Sequence, residues 1–305
     1  MNGLAESTRS ADTGATPARW TVLEVVRWTA ARFAERGLGT PRLDAELLVA
    51  HALGLPRVQL YVQFDRPLVA DELASIRALI RRRQGGESVA YLVGKKEFWG
   101  LDFAVDARVL VPRPDTETLV EEARARLAAG GGGPEPLGAA RIADVGTGSG
   151  ALAVTLAKLA AGATVFAADL SPDALAVARA NAERLGVAVT FVEGDLAAPL
   201  APHGPFTLLV ANLPYIPSGD LAGLPAEVRA EPALALDGGP DGLALVRRLI
   251  AAAPALLAPG GALALEIGAG QAPATAALLR EGGFGDVRVR RDLGGVERVV
   301  SGVRP

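Results

Sequence analysis

Apolar residues recur along this chain with two different periods, and the change of period divides it. Over residues 20–84 the spacing is helical: Val22, Val25, Val26, Thr29 and Phe33 fall three or four apart, as one buried face of a helix requires. Thr40-Pro41 then supplies a cap and first turn for a second helix with apolar positions at Leu43, Leu47 and Leu48. A further helical pattern over 69–83 closes on Arg81-Arg82-Arg83 and stops at Gly85-Gly86. Those cations suit the negative end of a helix dipole, and equally a contact with an acidic partner. Residues 95–111 change character: Phe98, Leu101, Phe103, Val105, Val109 and Val111 flank Gly100 and Asp102, which predicts a β-hairpin. Helical spacing returns over 116–129. A run of four glycines and two prolines over 130–138 then predicts a flexible surface loop.

Beyond it, short apolar runs at 142–145, 164–168, 187–192 and 206–211 alternate with helical stretches ending near 160 and spanning 172–185. A helix over 243–257, a strand over 262–267, a helix from Ala272 and a strand pair at 287–291 and 296–301 complete the pattern. Strand–helix alternation of this kind predicts an α/β fold, a parallel sheet with helices on both faces. The expected organisation is a small polar tail without fixed structure over 1–18, a helical domain over 19–93, a hairpin linker over 94–112 and an α/β domain over 113–305. The tail lacks the apolar core of a signal peptide. Pro254 and Pro259-Gly260-Gly261 interrupt the longest nearly uncharged stretch, so no membrane span is expected. A cytoplasmic protein is the expectation, and a monomer, since no long apolar stripe is left over.

Composition narrows the chemistry. Half of the 305 residues are hydrophobic, the net charge is −3, cysteine is absent, and His51 and His203 are the only histidines. Disulfides, cysteine-held metals and thiol nucleophiles are excluded, a multi-histidine metal centre is disfavoured, and no metal is expected. The mild acidity argues against a long nucleic-acid track, which needs many phosphate-neutralising cations.

In a parallel sheet, ligands sit beyond the carboxyl ends of the strands. After the 142–145 strand comes Gly146-Thr147-Gly148-Ser149-Gly150, running straight into a helix, a turn that lets a ligand approach backbone amides at a positive helix end. Nicotinamide enzymes use a similar loop, so the loop alone does not choose the cofactor. The next strand ends in Asp169, placed to meet the two hydroxyls of a ribose. The third ends at Asp195-Leu196, a carboxylate for an adenine amino group and an apolar cover for its ring. The fourth ends in Asn212-Leu213-Pro214-Tyr215, an arrangement suited to a planar, amide-like nitrogen. Such a nitrogen is a poor nucleophile and must be oriented for in-line attack on a sulfonium methyl. The Asn212 side-chain oxygen and the Leu213 carbonyl can each accept one of its N–H groups, and Tyr215 can pack on its plane.

These motifs are similar to class I, Rossmann-like S-adenosyl-L-methionine-dependent methyltransferases acting on a planar nitrogen. Three more stretches narrow the likeness: Phe98-Trp99-Gly100 with the 109–117 segment containing Pro112-Arg113-Pro114-Asp115-Thr116-Glu117, the turn over 212–217, and Glu231-Pro232-Ala233-Leu234 continuing to Leu243. Together they resemble the HemK/PrmC family, protein-(glutamine-N5) methyltransferases that modify the Gly-Gly-Gln glutamine of peptide chain release factors. The resemblance implies S-adenosyl-L-methionine held by Gly146, Thr147, Gly148, Ser149, Gly150, Asp169, Asp195, Leu196 and Asn212. It implies substrate glutamine held by Asn212, Leu213, Pro214 and Tyr215, with Asn212 and Tyr215 carrying the chemistry. It also implies that the helical domain docks a class 1 release factor, and that Arg113 and Glu117 help close the pocket. Asn-Leu-Pro-Tyr stands where the family usually has Asn-Pro-Pro-Tyr; Leu213 keeps the backbone carbonyl but gives up turn rigidity. The same four residues resemble RNA adenine-N6 dimethyltransferases, which keeps an enzyme acting on RNA or DNA adenine as the alternative. A catalytically silent binding module is a further one.

Overall fold

The computed structural model describes residues 20–130 and 140–305; the expected tail and nearly all of the glycine-rich loop lie outside the described residues. Two compact units divide between Val93 and Gly94.

The first unit is helical: α1 (Val22–Glu35), α2 (Pro41–Leu53), α3 (Gln59–Val62), α4 (Ala70–Gln84) and α5 (Val89–Val93). α1 starts on a capping box in which the Thr21 side chain accepts from the Glu24 N–H and Glu24 accepts from the Thr21 N–H at 2.8 Å. Its expected inward positions, four apolar residues and Thr29, are all buried. α2 buries Leu48 and half-buries Leu47 as its leucine spacing predicts, but departs from it at Leu43. Leu43 is exposed, whereas Asp44, Ala45, Leu48 and Val49 are buried. The cause is an internal ion pair, Asp44 with Arg83 at 2.9 Å, steadied by the Thr40 hydroxyl, which donates to Asp44 Oδ1 instead of capping the helix. The last arginine of the 81–83 run is thus a core residue, because a buried charge is tolerated only with a partner.

The second unit opens with a hairpin, β1 (Lys95–Phe98) and β2 (Leu101–Ala104), closed by Trp99-Gly100 with both φ angles positive, the conformation that matches strand twist in a two-residue turn. The hairpin is shorter than expected: Val109 and Val111 are buried in irregular chain. A 3₁₀ turn, Pro114–Thr116, leads into α6 (Glu117–Gly130). There follow β3 (Arg141–Val145), α7 (Ala151–Leu159), β4 (Thr164–Asp169), α8 (Pro172–Leu185), β5 (Thr190–Glu193), β6 (Phe206–Ala211), α9 (Ala226–Arg229), α10 (Ala244–Leu256), β7 (Leu257–Glu266), α11 (Ala272–Glu281), β8 (Gly285–Arg291) and β9 (Glu297–Val303).

Seven strands form one sheet in the order β5-β4-β3-β6-β7-β9-β8. The first five are parallel; β9 runs antiparallel to both β7 and β8. β3 and β6 are buried on both faces over most of their length, which is why they read as largely apolar runs, with Asp144 the buried exception in β3. Ala143, Val145, Leu209 and Ala211 join an apolar cluster with α10 and α11, while Ile142, Leu208 and Val210 join another with α6 and α7. No helix among the described residues is long and apolar enough to cross a membrane.

Phe98 and Phe103 of the hairpin are fully buried in the α6 and α7 cluster, so the segment expected as a linker is part of this unit's core. Asn181 of α8, itself fully buried, fixes it there. Its Oδ1 accepts from Ala104 N at 2.8 Å, and its Nδ2 donates to Ala104 O at 3.0 Å and to Ser149 O at 2.9 Å. One side chain thereby joins the hairpin to the glycine loop. Asn181→Ala strands three backbone groups and is expected to lower unfolding free energy by about 2–4 kcal/mol, measured by urea denaturation; a change within error of zero would remove this role.

Candidate active site

The chain leaves β3 toward β4 on one side of the sheet, and leaves β6 toward β7 on the other. The carboxyl ends of β3 and β6, neighbours in the sheet, therefore flank the crevice that forms where strand order reverses.

After β3 the backbone folds back on β4, with Gly146 N and Thr147 N both donating to Ala168 O at 2.8 and 3.0 Å. Gly146 has φ 75°, and a Cβ there would stand 3.1 Å from Leu213 Cδ2; Gly150 has φ 81°, and a Cβ there would stand 3.1 Å from Ala178 Cβ. Left-handed backbone and close approach coincide, so both positions call for glycine. Asp169 spans the gap between loop and strand, Oδ2 accepting from Gly148 N at 2.8 Å and Oδ1 from Ser171 N at 2.9 Å. Its carboxylate is held in place by the backbone on either side.

Beneath the loop lies Asp144, entirely buried. Its Oδ2 accepts from Thr147 Oγ1 at 2.6 Å and Ala153 N at 3.2 Å, while Oδ1 has no partner. Burial pushes its carboxyl up to about 7 against the downward pull of those two hydrogen bonds.

A single cavity of about 260 Å³ is lined by Gly146, Thr147, Gly148, Ser149, Asp169, Asp195, Leu196, Asn212, Leu213 and Pro214. Ten of the residues singled out from sequence are thus brought together; Gly150 and Tyr215 are not among those lining it. Leu170 and Leu234, large apolar side chains left half exposed, line the cavity beside Leu196. Leu196 itself has φ 49°, a costly conformation for a branched side chain. At the rim Asp195 pairs with Arg248. The lining therefore offers an oriented carboxylate for hydroxyls, apolar walls for a ring and the amino end of α7.

The turn after β6 is tied down on every side. Asn212 Nδ2 donates to Thr116 Oγ1 at 3.1 Å. Leu213 buries its side chain against the glycine loop, which is how leucine serves at this position. Gln271 Nε2 donates to Tyr215 O at 3.0 Å while its Oε1 accepts from Gly268 N at 2.8 Å. Ile216 N donates to Leu236 O, and Gly238 N to Ile216 O, joining the turn to the 231–243 block. Burial, and the nearby Glu266 carboxylate, push the Tyr215 phenol up to about 12, so it keeps its proton.

Arg113 lines the cavity and pairs with Glu231 at 2.7 Å, a carboxylate only 1% exposed. Glu117 does not: it is spent on the hairpin, accepting from Trp99 N at 2.9 Å. The expectation that it helps close the pocket is corrected accordingly. Thr116, Leu170, Asn181, Arg248, Glu266 and Gln271 went unassigned from sequence. Only Glu266 left a signal, a carboxylate ending the apolar run Ala262-Leu263-Ala264-Leu265.

Asp144 yields a stability prediction. Its folded pKa lies above the unfolded value, so the native state holds the extra proton; the favourable contribution is complete below about pH 4 and is lost as pH rises through about 7. Asp144→Asn keeps an acceptor for Thr147 and Ala153 but cannot ionise. Its urea midpoint should exceed that of the parent most at about pH 8, with the gap narrowing as pH falls and closing only below about pH 4; equal midpoints at the higher pH would contradict the assignment.

Residues 24–94 match the family described as PrmC N-terminal domain, and residues 142–230 match the family described as Methyltransferase domain. The release factor glutamine methyltransferase of Geobacter sulfurreducens is 47% identical over 287 residues, 94% of this chain and 98% of its own. That of Chlorobaculum tepidum is 47% identical, covering 92% and 97%. The solved protein-(glutamine-N5) methyltransferase (release factor-specific) of Alicyclobacillus acidocaldarius is 36% identical, covers 66% of this chain and 99% of its own, and has a TM-score of 0.41. With identity at this level along nearly the full length of both chains, this protein belongs to the release factor glutamine methyltransferase family.

Proposed function

We propose that this chain transfers a methyl group from S-adenosyl-L-methionine to the side-chain amide nitrogen of the Gly-Gly-Gln glutamine of peptide chain release factors. The observation that carries this reading is the placement of Asn212: its NH₂ is tied to Thr116, and its carboxamide opens onto the same cavity as the glycine loop and Asp169. Family membership agrees with it.

The cavity lining fits the methyl donor: Asp169 for ribose hydroxyls, Leu170, Leu196 and Leu234 as walls for the adenine, and Asp195 for its amino group. S-adenosyl-L-methionine supplies an electrophilic methyl on a sulfonium. The protein's part is orientation. Asn212 Oδ1 and the Leu213 carbonyl each accept one N–H of the glutamine, leaving the nitrogen lone pair free to face the methyl carbon. As the new N–C bond forms, the C–S bond breaks and its electron pair stays on sulfur. The nitrogen then gives up one proton to water, so no strong base is needed; Tyr215, which keeps its proton near neutrality and does not line the cavity, takes no part in that transfer.

The release factor is a transient protein substrate met in the cytoplasm. The chain acts on it as a monomer, without a lasting nucleic-acid partner. The helical unit leaves Val58, Tyr61, Val62, Phe64 and Val69 exposed, apolar surface that supports a role in docking the substrate.

Incubation with labelled S-adenosyl-L-methionine and either a release factor or ribosomal RNA should place one methyl on the Gly-Gly-Gln glutamine, seen by peptide mass spectrometry. Label found only on RNA would establish the adenine alternative instead. Asn212→Ala should lower the transfer rate by at least about 100-fold, a larger effect than on cofactor affinity. Asp169→Ala should weaken cofactor binding by about 10-fold or more in calorimetric titration, equivalent to about 1.4 kcal/mol; unchanged affinity would remove Asp169 from the cofactor site.

A further inference from the structure

The carboxylate at the end of β7 has no role in the steps above, yet it lies directly behind the residue that carries them. β6 and β7 run parallel with Ala211 opposite Leu265, so Asn212 and Glu266 leave the sheet side by side. Glu266 is 1% exposed, and neither of its oxygens closes a hydrogen bond. No ion-pair partner lies within reach among the described residues. Arg298 of β9 acts on it from a distance, but its guanidinium is held by Asp115 at 3.0 Å and Asp292 at 2.9 Å. A buried charge without a partner is costly, and the donors nearest this one are the Thr116 hydroxyl and the Asn212 amide.

An ionised carboxylate can only accept hydrogen bonds. Beside it, a primary amide must present its NH₂, because the opposite orientation would set two partial negative charges against each other. That matches what is seen: Asn212 Nδ2 points inward to Thr116 Oγ1, and no protein donor reaches Oδ1 among the described residues. The negative charge behind the amide also polarises it, making Oδ1 a stronger acceptor at the place where positive charge grows on the attacking nitrogen.

We infer that Glu266 is a positioning residue for methyl transfer: from behind Asn212 it fixes the carboxamide with NH₂ on Thr116 and Oδ1 toward the substrate. The inference rests on the glutamine-transfer reading for its kinetic consequence, but not for the orientation itself.

The state of the carboxylate then governs the rate. Burial pushes Glu266 up to about 7, with Thr116, Arg298 and Asn212 pulling down and Asp115 pushing up. Those groups, on the 3₁₀ turn, β9 and the Asn212 turn, together with Tyr215, are the charged and titratable neighbours that face it. Below that pH the protonated acid becomes a donor, able to capture Asn212 Oδ1 and reverse the amide. The competent form is the ionised one, so turnover should rise as pH passes upward through about 7.

The test uses the full chain. Glu266→Gln replaces an obligate acceptor with a group that can donate, so kcat on a release factor should fall by about tenfold or more with cofactor affinity and melting temperature unchanged, and the rise near neutral pH should vanish. Parent-like kcat and pH profile in the variant would overturn the inference. Parallel losses of melting temperature and cofactor affinity would do so as well, since they would mark a merely structural role. A second measurement needs neither the variant nor a substrate: the Asn212 side-chain ¹⁵N–¹H₂ signal of the parent chain, assigned by its disappearance in Asn212→Ala, followed from about pH 5 to about pH 9. It should shift with a midpoint near 7. A signal that does not move would refute the positioning role even if release factors are methylated; a signal that moves while they are not would leave it standing and discard only the glutamine reading.

Discussion

β3 and β6 lie next to each other in the sheet and send the chain off in opposite directions. Helices that cover the sheet on the way to β4 cannot cover the space above this pair, nor can those on the way to β7, and a crevice is left at the carboxyl ends. The packing of Leu213 against Gly146 follows from the adjacency of the two strands. Residues far apart in sequence then brace the two turns: Asn181 from α8, Thr116 from the segment before α6, and Gln271 ahead of α11.

A second feature of the site is the number of carboxylates kept below its surface. Asp144 and Glu266 are both buried and both shifted upward by burial, and Glu231 is shifted the same way despite its pairing with Arg113. Each sits under a different wall of the cavity: the glycine loop, the Asn212 turn and the 231–243 block. Stability would be served better by apolar residues in such places. Their common property is that an ionised carboxylate dictates which way nearby amides and hydroxyls point, and a site that works by orientation depends on that.

Much of the second unit is legible from pattern alone. β6 and α8 have the bounds that hydrophobic periodicity predicts, and α8 carries its own punctuation, the Ser171 cap, Pro172 in the first turn and Gly186 at φ 67° after the last. The glycine loop and Asp169 were legible because close backbone approach and strand-end position leave local traces. The exposure of Leu43 in α2 was not. Leu43 looks like a core residue until Arg83, forty positions away in the chain, claims Asp44 for the interior. Glu117 was misjudged for a similar reason: its motif points to the cavity, but the hairpin's Trp99 N–H lies nearer.

Sequence by itself determined the order of elements, the parallel sheet and the identity of the groups available for chemistry, since these depend on spacing along one chain. Absent cysteine already excluded thiol chemistry, and scarce histidine disfavoured a multi-histidine metal centre. Tertiary structure alone decided which of those groups meet. Asn212 acquires a direction only because Thr116 reaches it across ninety-six positions and because β7 ends in a carboxylate at its side. Hydrogen bonding and burial act through space, and their partners leave no mark on local periodicity. The chain thus spells out the turn that receives the substrate, while the fold determines which end of its amide is offered.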